Sequence, residues 1–168
     1  MRAATGPISL RAVAPRAAGE HDRGMGDTAP EDLLRALLDD ATVGAVLSAA
    51  GSSAADLRVA VERRWLARLD REVDDELLRG RRVDVGALLR ALNEGAPALG
   101  RLPADARAVL GRAVHESASL HASCIGAEHL LIALVAGADP VVAPAAAELG
   151  LRAATVRGVV ARRGPRVG

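Results

Sequence analysis

Apolar residues recur at helical spacing over most of this chain. Leu33, Leu34, Leu37 and Leu38 repeat in steps of three and four, which places them on one side of a helix. Start signals precede them. Thr28 reads as an N-cap, Pro30 suits a first turn, and Glu31 and Asp32 complement the helix dipole. A second helix is expected from about Thr42 to Ala50, stopped by Gly51. Ser52 and Ser53 open a third, with Leu57, Val61, Trp65 and Leu69 along it. Leu66, Leu69, Val73 and Leu77 mark one face through the charged stretch 62–82, expected to end near Gly80. Asp84 opens a helix carrying Leu88, Leu89 and Leu92, and a loop is expected from Asn93 to Pro97.

The second half is patterned more clearly. Pro103 to Leu120 reads as a long helix. Val109, Leu110, Val114, Ser117 and Leu120 lie near its inner face, and His115 and Glu116 are expected at the surface. His121 to Gly126 reads as a loop, and Ala127 to Val135 as a strongly apolar helix that begins Ala127-Glu128-His129. Asp139-Pro140 opens the next helix, which ends at Gly150, and a last helix runs from about Ala153 to Arg162. Pro15 and Gly19 break any long helix in the first 27 residues, which read as a loose tail with at most a short helix around Leu10 to Ala14. Met25 is a second candidate for the start of translation.

Composition agrees with an all-α fold. Half of the residues are hydrophobic, mostly Ala, Leu and Val, with no Phe or Tyr and Trp65 as the single aromatic of that class. Strands would favour more β-branched and aromatic residues. A net charge of +1 provides no field to recruit nucleic acid or an acidic membrane surface. All basic residues are Arg. The clusters Arg63-Arg64 and Arg79-Gly80-Arg81-Arg82 have acidic neighbours and read as solvated faces. One cysteine, Cys124, excludes an internal disulfide and suits a reducing cytosol. Residues 1–24 lack a continuous apolar run, so no secretory signal is expected, and Asp139, Pro140 and Pro144 interrupt the apolar run 130–147.

The two apolar helices with acidic starts align. Glu31, Leu33, Leu34, Ala36 and Leu37 match Glu128, Leu130, Leu131, Ala133 and Leu134 at a constant offset of 97. Gly51, Leu57, Arg58 and Val61 match Gly150, Val156, Arg157 and Val160 at an offset of 99. An internal duplication follows from this register.

At these residues the chain resembles the double Clp N-terminal (Clp R) domain of Clp-type AAA+ unfoldases. Ile125-Gly126-Ala127-Glu128-His129-Leu130-Leu131-Ile132-Ala133-Leu134 fits the family's pattern except for its threonine. Ala147-Glu148-Leu149-Gly150 fits its Leu-Gly stop, and Arg107-Ala108-Val109-Leu110 its long helix. The resemblance implies a pseudo-twofold repeat of four-helix motifs. A degenerate first repeat would span 28–64 and a charged helical connector 65–101. A well-matched second repeat would span 102–161, between tails 1–27 and 162–168. It implies a non-catalytic, cytoplasmic module that docks a Clp-type unfoldase, an adaptor or a substrate protein, without a cofactor. With no Lys in the chain, the phosphate loop of an attached ATPase is missing. The likeness is therefore to a free-standing protein of the actinobacterial sort.

Some family members bind phosphorylated arginine through the glutamate of each repeat, and the matching positions are Glu31 and Glu128, with Asp32 and His129 beside them. A carboxylate suits that task because it accepts a paired set of guanidinium N–H bonds. Departures are Asp32, where histidine is usual, and Pro103, where a phosphate-holding threonine stands. Two other readings remain open: a small-molecule-binding stress protein using the groove between repeats, and an Arg-rich connector that contacts nucleic acid. His121, Cys124 and His129 are too few for a closed zinc site, and Cys124 lacks a legible oxyanion or orienting device. Neither a metal nor a catalytic residue is expected. Trp65 reads as a packing residue rather than a partner anchor.

Overall fold

A computed structural model describes residues 28–68, 83–95 and 102–164. Among the described residues there are eight α-helices and no strand, so the chain is all-α. The helices are α1 (Pro30–Leu37), α2 (Ala41–Ala49), α3 (Ala54–Arg68) and α4 (Val85–Glu94), then α5 (Ala104–Ser119), α6 (Ala127–Val135), α7 (Val142–Glu148) and α8 (Ala153–Arg163). The expected tail helix, Met25, the positions Leu69, Val73, Leu77 and Arg79–Arg82, and Ala96-Pro97 lie outside the described residues.

α6 occupies the centre because of its composition. All nine of its residues are buried, and a helix apolar on every side is stable only inside. α1, α2, α5, α7 and α8 pack around it. α5 turns Ala106, Val109, Leu110, Ala113, Glu116 and Ser117 inward at three- and four-residue steps, and α1 turns in Leu33, Leu34 and Leu37. Farther out, α3 packs on α7, α8 on α2 and α4 on α1. One continuous core of Leu, Val, Ala and Ile results, and each fully buried Leu or Val contributes about 2 kcal/mol.

Helix ends in the two halves are built alike. Asp40 Oδ1 accepts the backbone N–H groups of Thr42 (2.7 Å) and Val43 (3.3 Å) at the start of α2. Asp139 Oδ1 accepts those of Val141 (2.9 Å) and Val142 (2.7 Å) at the start of α7. Both helices stop at a glycine in the left-handed region, Gly51 at φ +83° and Gly150 at φ +68°. The next residue then donates back across the last turn, Ser52 to the Leu47 carbonyl at 3.0 Å and Leu151 to the Ala146 carbonyl at 2.9 Å. Arginines at the far ends of α3 and α8 reach across the molecule. Arg64 and Arg63 pair with Glu148 of α7, and Arg163 donates to the Ala45 carbonyl of α2 at 3.1 Å.

Several local expectations change. The N-cap of α1 is Ala29, with Thr28 buried one residue earlier. Asn93 is not in a loop: α4 continues to Glu94 and ends at Gly95, which takes φ +66°. Val114 is 47% exposed, because the inward stripe of α5 runs through Ala113 and Glu116 instead. Arg63 and Arg64 are engaged with Glu148 rather than simply solvated. Ser53 caps α3 as expected, accepting the Asp56 N–H at 3.0 Å.

Candidate functional site

The first turn of α6 and the end of α5 enclose a cavity of about 260 Å³. Leu120, Ala122, Val160 and Ala161 supply apolar walls, and His121, Cys124, Glu128 and His129 supply polar groups. Its shape is held by the turn after α5. His121 adopts φ +53°, the left-handed conformation more often taken by glycine. This lets the Ala122 N–H reach the Ser117 carbonyl at 3.0 Å. The Ser117 hydroxyl donates to the Cys124 carbonyl at 3.2 Å. Asn93 of α4 pins the same loop from outside. Its amide oxygen accepts the Ile125 N–H at 2.8 Å, and its Nδ2 donates to the Ile125 carbonyl at 3.0 Å.

His129 is 2% exposed, and its Nδ1 accepts the backbone N–H of Gly126 at 2.9 Å. A nitrogen that accepts from an amide carries no proton, so the imidazole is neutral, with its hydrogen on Nε2. Burial pushes its pKa below the usual value, against the opposing pull of Glu128 and Glu116. Asp32 does the same task in α1: the Ala29 N–H donates to its Oδ2 at 3.4 Å. Asp32 also accepts from Arg35 at 3.2 Å, and the Arg35 guanidinium lies 4.8 Å from the centre of the half-buried Trp65 ring. Asp32 and Trp65 are thus both occupied within their own half.

Glu128 is 9% exposed. Its Oε1 lies 3.8 Å from His129 Nδ1, and because that nitrogen is unprotonated the two do not form an ion pair. Among the described residues no arginine lies within 4 Å of the Glu128 carboxylate. The carboxylate folds back over Gly126: a Cβ built there would lie 2.5 Å from Oε2. The matching residue before α1 is Ala29, which has that carbon. Gly126 and Ala29 have similar extended backbones, φ −110° and −87°, so glycine serves close approach here rather than an unusual turn.

Glu31 is placed differently. It is half-buried and does not line the cavity. Partial desolvation raises its pKa above the usual carboxylate value, and Asp139 and Asp32 add to the rise. Of the four predicted site residues, the cavity therefore joins Glu128 and His129 and leaves out Glu31 and Asp32. His121 and Cys124 also face it, and Cys124 is exposed. Among the described residues no three His, Cys, Asp or Glu side chains converge as a metal site. No helix of the described residues is long and apolar enough to cross a membrane.

Glu116 corrects the expectation that it sits at the surface. It is 7% exposed and accepts a paired set of bonds from Arg157 of α8, from Nε at 2.7 Å and Nη2 at 2.5 Å. These bonds hold its carboxyl below the usual range and raise Arg157 in turn. The pair ties α5 to α8 beside His129. Its sequence signal was the continuation of the buried stripe from Ala106, Val109 and Ala113 to position 116.

No protein-family model, curated protein or solved structure matches the chain.

Proposed function

We propose that this chain is a non-catalytic docking module of the Clp N-terminal kind, which binds a basic peptide segment of a client, adaptor or unfoldase through the cavity at Glu128. One observation carries the reading. A carboxylate whose side chain is 12% exposed lines an apolar-walled cavity, and among the described residues no arginine lies within 4 Å of it. Keeping a carboxylate out of bulk water is costly unless it is paired, and a guanidinium or ammonium from a partner supplies the missing charge.

The alignment of the two halves supports the family reading. Asp40 and Asp139 cap at the same offset as Gly51 and Gly150. Packing partners also exchange between halves. α2 meets α6 as α7 meets α1, and α3 meets α7 as α8 meets α2. In this reading the duplicated unit has specialised. α1–α3 mainly support the fold, and α5–α8 bear the binding cavity.

The test is a nuclear magnetic resonance titration with acetyl-Ala-Arg-Ala-amide and its arginine-phosphorylated form. Shifts centred on Glu128, His129 and Cys124, lost in Glu128→Gln and kept in Glu31→Gln, support the reading. Absence of shifts at millimolar peptide rejects it. Co-purification with a Clp-type ATPase at endogenous levels tests the wider role.

A further inference from the structure

Glu128 and His129 line the cavity side by side. Glu128 Oε1 and His129 Nδ1 lie 3.8 Å apart, and among the described residues that nitrogen accepts one hydrogen bond, from the Gly126 N–H. We infer that protonation of His129 closes the cavity's binding function: Nδ1 takes a proton from hydronium as the pH falls, releases the Gly126 N–H to solvent, and turns its new N–H onto the Glu128 carboxylate. The ion pair formed inside the chain then occupies the group proposed to receive a partner's cation. This regulation rests on the docking reading of the same site.

The geometry favours such an exchange. An imidazole nitrogen is acceptor or donor but never both, so the cap of α6 and the Glu128 ion pair exclude each other. The carboxylate needs only a small shift, since 3.8 Å exceeds hydrogen-bond length by about 1 Å. No such exchange is available in α1, where the matching cap is the carboxylate of Asp32, an acceptor at neutral pH.

The charges around His129 set the range in which this occurs. On its own helix Glu128 favours the proton, and on α5 Glu116 does so, with its own charge offset by Arg157 of α8. His121 and Cys124 share the cavity. The other neighbours turn apolar side chains inward: Pro30, Leu33, Leu34 and Leu37 of α1, Val43, Val46 and Leu47 of α2, and Val142, Ala145 and Ala146 of α7. The net effect places the transition below the ordinary histidine pKa.

The experiment is a pH titration of the full chain from 7.5 downward, following three resonances: the His129 ring nitrogens, the Gly126 amide and the Glu128 carboxyl carbon. All three are expected to move with one midpoint, and the affinity for acetyl-Ala-Arg-Ala-amide to fall about tenfold across it, the loss of one charged pair. His129→Asn keeps an acceptor where Nδ1 lies but cannot take a proton, so its Gly126 amide should not titrate. Should that variant fail to fold, Gly126→Ala provides the second reading. It pushes the Glu128 carboxylate away and should lower the His129 midpoint. A His129 ring that stays neutral until the chain unfolds overturns the inference. So does a ring that titrates while Gly126 and Glu128 stay still. If the three resonances move together and the peptide binds at no pH, the ion pair stands and the docking reading alone is lost.

Discussion

Two helix starts, Ala29–Asp32 and Gly126–His129, occupy matching places in the chain and solve one problem with different groups. Each must satisfy the N–H of the residue before its helix. α1 uses the Asp32 carboxylate and α6 the His129 imidazole. The substitution has consequences beyond the cap. Asp32 carries a charge that Arg35 neutralises, and Arg35 in turn covers Trp65. His129 is neutral, and among the described residues no arginine pairs with the Glu128 beside it. Ala29 has a Cβ where Gly126 leaves room for the Glu128 carboxylate. One missing carbon and one neutral ring separate a supporting helix start from the one proposed to bind.

The largest test of this contrast is in the core. Leu34 and Leu131 match in position, and both are fully buried. Leu131→Ala is expected to cost about 4 kcal/mol, and Leu34→Ala about 3 kcal/mol, because α6 is enclosed on more sides. Chemical denaturation measures both, and equal costs would remove α6 from its central place.

Next is the Glu116–Arg157 pair. Glu116→Gln should cost about 1–2 kcal/mol at pH 7, with Arg157 partly exposed and screened by water. Because Arg157 holds Glu116 below its ordinary pKa, that contribution is present above the usual carboxylate range and lost as pH falls through the lowered value. Urea denaturation from pH 7 to pH 3 should show wild type and Glu116→Gln converging.

The pH response of His129 has the same sign and begins at higher pH. Its folded pKa lies below its unfolded one, so its contribution is complete above the ordinary histidine value and lost as pH falls toward the lowered one. The protection of the Gly126 amide, relative to its intrinsic exchange rate, should fall as pH drops below the ordinary histidine value, while the Ala29 amide keeps its protection. Equal responses would make the two caps equivalent. The smallest effect is Asn93→Ala, about 1 kcal/mol, with faster exchange of the Ile125 amide, since two bonds to that exposed loop disappear.

Much of the fold was legible because Leu and Val at three- and four-residue steps mark helices whatever lies around them. The α6 segment was plain, as the six apolar residues Leu130 to Val135 that follow Glu128 and His129 read as a strongly apolar helix. Glu116 was missed because its partner Arg157 is 41 residues away, and a charge on a stripe is read as exposed until its partner is known. Asn93 was missed for a similar reason: an amide that pairs with a distant backbone leaves no periodic trace. Glu128 and His129 were legible as candidates. What Gly126 does for Glu128 was not, since it depends on where the carboxylate folds rather than on spacing.

The most direct test of the central claim is the affinity of Gly126→Ala for acetyl-Ala-Arg-Ala-amide at pH 7.5, beside wild type. The added carbon meets only the flexible end of Glu128, so stability should change by less than about 1 kcal/mol. The carboxylate, however, must leave its place. A folded variant that binds at least about tenfold more weakly than wild type is the predicted result. A variant that binds as tightly as wild type, or a wild type that does not bind, would contradict the account.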